Sequence, residues 1–230
     1  MFNMYLFTLY CAIAIAVTFL EYILYHFGYR NRLIIAVKQV VEVPYTLVHE
    51  FSHAIVALIT SGRIKKITLH HNLSGSVVST SSKKFSRILT TLAGYTLPCY
   101  ISFLFIWLIH FHAAFALYGY LMIAIFSFVF IRNMYGFFWL LGFISLLAVT
   151  LLYTPTWFIL HVSYFFVALL FVAALYGGYR ILLLAWHEPR LYHDAHVLAN
   201  ETKIPAQVWG IVFFVHNIVI SGSILYYFIL

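Results

Sequence analysis

LVHEFSHAIVAL, residues 47–58, sets two histidines, a glutamate and a serine in an otherwise apolar run. His49, Glu50 and His53 spell H-E-x-x-H. On a helix, positions i and i+4 share a face, so both imidazoles can meet one ion, while Glu50 stands about 100° round the axis. That placement suits a residue that takes a proton from water at a metal without ligating the metal itself. An ionisable residue at membrane depth costs roughly 2.5–3.5 kcal/mol on insertion scales and marks function by default. Three such residues within five positions are hard to explain as helix-joining polar contacts. A bound cation accounts for them, because zinc takes neutral imidazoles and offsets the charge of an ionised Glu50.

The membrane is read from the surrounding chain. Of 230 residues, 64% are apolar and only 8% charged, with a mean hydropathy of +0.98, which excludes an ordinary soluble domain. Apolar runs near 4–27, 36–60, 87–110, 114–131, 136–153, 157–180 and 206–229 approach the roughly 20 helical residues that cross hydrocarbon. The expected fold is an all-α polytopic membrane protein of about seven transmembrane helices, with residues 1–230 as a single intramembrane domain. The first run has no basic segment ahead of it and is too long for a signal sequence, so it is expected to be a retained span. RIKKITLHHNLSGSVVSTSSKK, residues 63–84, is rich in β-branched residues around an Asn-Leu-Ser-Gly turn. It predicts a small membrane-associated β-hairpin over roughly 64–80. Open strand edges cannot face lipid, so the hairpin belongs at the surface or inside the protein.

The net charge of +7 resides in short loops and reads as topology and headgroup contact, with no nucleic acid involved. Ten of the 13 Lys and Arg (Arg63, Lys65, Lys66, Lys83, Lys84, Arg87, Arg132, Arg180, Arg190 and Lys203) follow the second, fourth and sixth runs. Arg30, Arg32 and Lys38 follow the first. The excess orients the even-numbered loops and the amino terminus toward the cytoplasm. The expectation is a multi-pass protein of the cell membrane with its site toward the cytoplasmic side. Cys11 and Cys99, the only cysteines, sit within apolar runs, which argues against a structural disulfide or a cysteine-based zinc site.

A catalytic zinc takes three protein ligands and leaves one position open. The longer H-E-x-x-H-x-x-G-x-x-H pattern fails, since Val56 and Ile59 occupy its Gly and His positions. No glutamate occurs between Glu50 and Glu188, and Glu21 and Glu42 are expected toward the opposite side of the membrane. Asp194, the only aspartate, lies in YHDAHVLANETKIPAQVWG ahead of the last run. From His53 to the end of its helix near Thr60 is about 10 Å, a gap that a short re-entrant or interfacial segment carrying Asp194 can cover. His193 and His196 flank Asp194 and remain alternative ligands.

With these residues in view, the chain resembles the site-2 proteases, intramembrane zinc metallopeptidases (M50), and in particular their small M50B-like branch. The resemblance rests on LVHEFSHAIVALITSGRIKKITLHHNLSGSV, on LAGYTLPCYI, on RNMYG and on HDAHVLANETKIPAQVWG, and covers most of the chain. It implies one zinc ion per chain held by His49, His53 and Asp194, with Glu50 as the catalytic acid/base. It further implies cleavage of a peptide bond in or near a transmembrane segment of a membrane-protein substrate. The family often presents its aspartate as Leu-Asp-Gly, where this chain has His193-Asp194-Ala195. Asn217 and Asn133 are candidates for the family's asparagine beside the metal, or else amides that join helices. The partners expected are the substrate and the lipid bilayer, with room for a regulatory membrane partner. Two readings from other classes compete. One is a haem-binding membrane redox protein using histidines such as His26, His110, His112, His161 and His216. The other is a non-catalytic membrane scaffold or chaperone of protease-like fold.

Overall fold

A computed structural model describes the backbone of residues 2–26, 32–72 and 74–229, and their side chains except 20–23, 25–26, 32–41 and 229. The break at Gly28–Arg32 falls mostly outside the described residues, as do the side chains of Glu21, His26, Arg30, Arg32 and Lys38. The elements in chain order are α1 (Met4–His26), α2 (Arg32–Ile59), β1 (Arg63–Leu69), β2 (Gly75–Thr80), α3 (Lys84–Phe111), α4 (Ala114–Phe130), α5 (Met134–Tyr153), α6 (Thr156–His187), α7 (Asp194–Thr202) and α8 (Ala206–Ile229).

Each apolar run carries a helix, and most boundaries fall within a few residues of those read from sequence. The sixth is the exception. Ile181–Trp186 continues the apolar helix-forming sequence, and nothing stops it until Pro189, so α6 runs to His187. Arg180 therefore stands on a helix wall and not in a loop, as its place after the sixth run had suggested.

Four described helices, α3, α5, α6 and residues 206–228 of α8, are long and apolar enough to cross a membrane. Met4–Phe19 and α4 are apolar but shorter, and α2 interrupts its apolar face with the H-E-x-x-H residues. The outer face of α5 exposes Phe138, Leu141, Leu146, Val149 and Leu152, a band too large for water contact and suited to lipid.

Helix α6 is central, packing against α1, α2, α3 and α8. Buried polar groups stitch helices together where no water can serve them. The Tyr120 hydroxyl donates to Phe166 O at 2.9 Å, tying α4 to α6. The Asn217 amide donates to Ala174 O at 2.9 Å, tying α8 to α6.

The hairpin has the expected place and is antiparallel, with Ile67 opposite Val77 and Leu69 opposite Gly75. Its basic outer end is exposed, whereas Ile67, Thr68 and Leu69 are buried consecutively, so the strand dives into the protein. The outer edge of β1 is occupied: Ile131 bridges Ile67, Arg132 N–H donates to Ile67 O at 3.0 Å, and the Asn133 side chain both accepts from Leu69 N–H and donates to Leu69 O. The α4–α5 loop thus extends the sheet on that side.

Candidate metal centre

His49 and His53 occupy successive turns of α2, and Asp194 opens α7. Asp194 Oδ2 lies 3.4 Å from both His49 Nε2 and His53 Nε2, and the two Nε2 atoms are 3.1 Å apart. Ligands about 2.0–2.1 Å from a tetrahedral zinc would be about 3.3 Å from one another. The triangle has the size of one face of such a tetrahedron. Two lone-pair nitrogens and a carboxylate oxygen converging this closely call for a cation, and the set can hold a metal ion.

Helix α3 supplies the backing. His53 Nδ1–H donates to Thr90 O at 2.6 Å, which fixes the tautomer that leaves Nε2 free to ligate. Gly94 lies directly behind both rings: a Cβ there would press on His53 Nε2 and come within 2.7 Å of His49 Cε1. Tyr95 packs edge-on to His49, with ring centroids 4.7 Å apart.

Glu50, only 4% exposed, packs against the start of β2 at Gly75. Its carboxylate sits where a Cβ on Gly75 would be, 2.6 Å from Oε1. It borders a cavity of about 330 Å³ shared with His49, Tyr45, Tyr95, the hairpin tip and α6. This arrangement puts a carboxylate and an imidazole of the cluster on one cavity bordered by the hairpin tip.

Short α7 is anchored at both ends. The His193 Nδ1 accepts from His196 N–H and caps its start, and Arg87 grips Glu201 through Nε at 2.7 Å and Nη2 at 2.9 Å. Trp209 Nε1–H donates to Thr202 Oγ1 at 3.0 Å.

All four of the residues singled out from the motif and its surroundings, His49, Glu50, His53 and Asp194, come together. The alternatives His193 and His196 spend their ring nitrogens locally, on the cap and on Glu188 O, and on Pro189 O and Asn200. Asn133 and Asn217 act as backbone and helix-joining amides. His110, His161 and His216 bond to Ile106 O, the Tyr10 hydroxyl and Asn217, and His112 accepts from Ala114 N–H. Thr90, Gly94 and Gly75 were not singled out from sequence. A glycine in an apolar helix, as at Gly94, is the one sequence signal that could have pointed to close approach.

A family model described as Peptidase M50B-like matches residues 8–223. No curated protein and no solved structure matches the chain significantly.

Proposed function

This chain belongs to the M50B-like peptidases of the site-2 protease family, and from that premise we propose that it is an intramembrane zinc metalloprotease. It cleaves a peptide bond in or near a transmembrane segment of a membrane-protein substrate. The observation that carries the reading is the convergence of His49, His53 and Asp194 at 3.1–3.4 Å with Glu50 on the adjoining cavity. In this reading those three residues hold one zinc ion per chain. When bound, zinc lowers the pKa of water at its open position and polarises the scissile carbonyl. Glu50 accepts the water proton and later delivers it to the leaving amine. Thr90 O and Gly94 keep the imidazoles aimed, and Gly75 leaves the Glu50 carboxylate room.

Helices α1, α2 and α4 cross the bilayer together with α3, α5, α6 and α8, giving seven spans that work as a single domain over residues 1–230. The site faces the cytoplasmic side of the cell membrane, where the basic loops lie. A substrate helix hides its carbonyls in its own hydrogen bonds, so it unwinds and pairs with a strand edge. The support for β2 in this role is that the α4–α5 loop already covers β1, while the β2 end of the hairpin borders the cavity. Val77→Pro, which removes a donor from β2, is expected to slow cleavage with metal content unchanged; undiminished cleavage would reject the edge-strand role. The enzyme reading itself is tested by incubating metal-loaded protein in bilayers with single-span peptides. Site-specific cleavage by wild type and none by Glu50→Gln is expected. Metal binding with no cleavage of a broad panel would favour the scaffold reading instead.

A further inference from the structure

The cavity beside Glu50 also contains Arg180, a cation that the hydrolytic chemistry does not use. Its wall on α6 is formed by Ala173, Tyr176, Gly177, Arg180 and Leu184, one face of the helix at three- and four-residue spacing. Gly177 lets the Tyr45 hydroxyl pack against the α6 backbone, one turn before His49 on α2. Arg180 follows Gly177 by just under a turn and lines the same cavity as His49 and Glu50, while remaining exposed. The guanidinium lies 5.9 Å from the centre of the Tyr176 ring. Among the described residues it forms no ion pair. Glu42, the cavity's other carboxylate besides Glu50, lines the space without pairing to it.

A guanidinium presents donors in a planar fork that matches a carboxylate in a bidentate manner, and stacking on an aromatic ring pre-orients that fork. At a wall of the cavity, with no ion-pair partner among the described residues, it is arranged to meet a negative charge brought in by the occupant. On the protease reading the occupant of this space is the substrate polypeptide, since the cavity is lined on one side by the hairpin tip, at Asn72, Ser74 and Gly75, and on the other by α6.

We propose that Arg180 forms an anion subsite that receives a carboxylate of the peptide substrate and thereby selects where the chain is cut. This rests on the protease reading above. The carboxylate can come from a Glu or Asp side chain near the cut or from a free carboxyl terminus, and both present the same chemistry.

The test uses the full-length, metal-loaded protein in phosphatidylcholine bilayers. The probes are single-span peptides in which one glutamine is exchanged for glutamate at successive positions around the observed cut, each with a free or an amidated carboxyl terminus. At one position wild type should cleave the glutamate peptide with kcat/KM roughly tenfold or more above its glutamine twin. A preference that instead follows the free terminus identifies that source of the carboxylate. In Arg180→Gln the ratio should collapse to within about twofold, with metal content unchanged. Arg180→Lys, which keeps the charge and guards against a folding defect, should retain part of the preference. Equal ratios in wild type and Arg180→Gln would overturn the subsite, and so would no preference at any position. A rate that tracks added phosphatidylglycerol and not peptide charge would reassign Arg180 to lipid and also overturn it. If no peptide is cut by wild type, the protease reading fails and the subsite falls with it, a result distinct from cleavage that ignores charge.

Discussion

His49 and His53 are held by their own helix and by the backbone of α3, whereas Asp194 reaches them from a nine-residue helix pinned by side chains. The first arrangement is local and stiff. One turn of α2 fixes the spacing, Thr90 O fixes a tautomer, and Gly94 leaves the rings no slack. The second spans 141 residues between His53 and Asp194 and depends on a cap, a tryptophan contact and a half-exposed ion pair. A candidate metal centre can thus combine a histidine pair that sequence spacing dictates with a carboxylate that only tertiary packing delivers.

The sharpest separation of chemistry from architecture is Glu50→Gln. It touches neither support and should lower cleavage by about 10²–10⁴-fold while leaving the metal bound, as read by kinetics beside metal analysis. Next comes the stiff half. Gly94→Val drives a branched side chain into both imidazoles, and metal affinity should fall more than about tenfold, measured by competition with a chromophoric chelator. An affinity unchanged by this substitution would mean that α3 does not back the site.

The α7 half should respond more gently. The Arg87–Glu201 pair is partly exposed, so Arg87→Gln should weaken metal binding by no more than about fivefold. The charge-swapped double variant Arg87→Glu with Glu201→Arg should restore part of it. Raising salt should mimic the single variant, because such pairs are screened. A salt-independent affinity would show that other contacts carry α7. The smallest effect belongs to the end of α7, where Lys203 adopts φ 67°. Lys203→Gly removes the steric cost of that left-handed backbone and should raise stability by about 0.5–1 kcal/mol in thermal unfolding.

The same contrast explains what the sequence disclosed. Apolar runs such as 114–131 and 206–229 matched α4 and α8 closely, because lipid demands continuous apolar helices with internally satisfied backbones. The hairpin was legible from β-branching around Asn72–Gly75. The end of α6 was not, since Ile181–Trp186 continues apolar past the length a span requires and only Pro189 stops it. His49, Glu50 and His53 were legible because helical periodicity alone brings them together. Asp194 entered as the only aspartate, with its neighbours His193 and His196 left open. The cap and loop hydrogen bonds that hold those two imidazoles away from the cluster are not encoded in any spacing. Thr90 contributes a main-chain oxygen, to which sequence is blind. Arg180 was read as a loop charge until the helix was seen to carry it into the cavity.

His49, His53 and Asp194 are proposed to hold one ion together. Metal content of purified wild type beside His49→Ala, Asp194→Ala and Glu50→Gln tests it most directly. About one zinc per chain is predicted in wild type and Glu50→Gln, with loss in the other two. Full occupancy in Asp194→Ala, or a metal-free wild type from a chelator-free preparation, would contradict it.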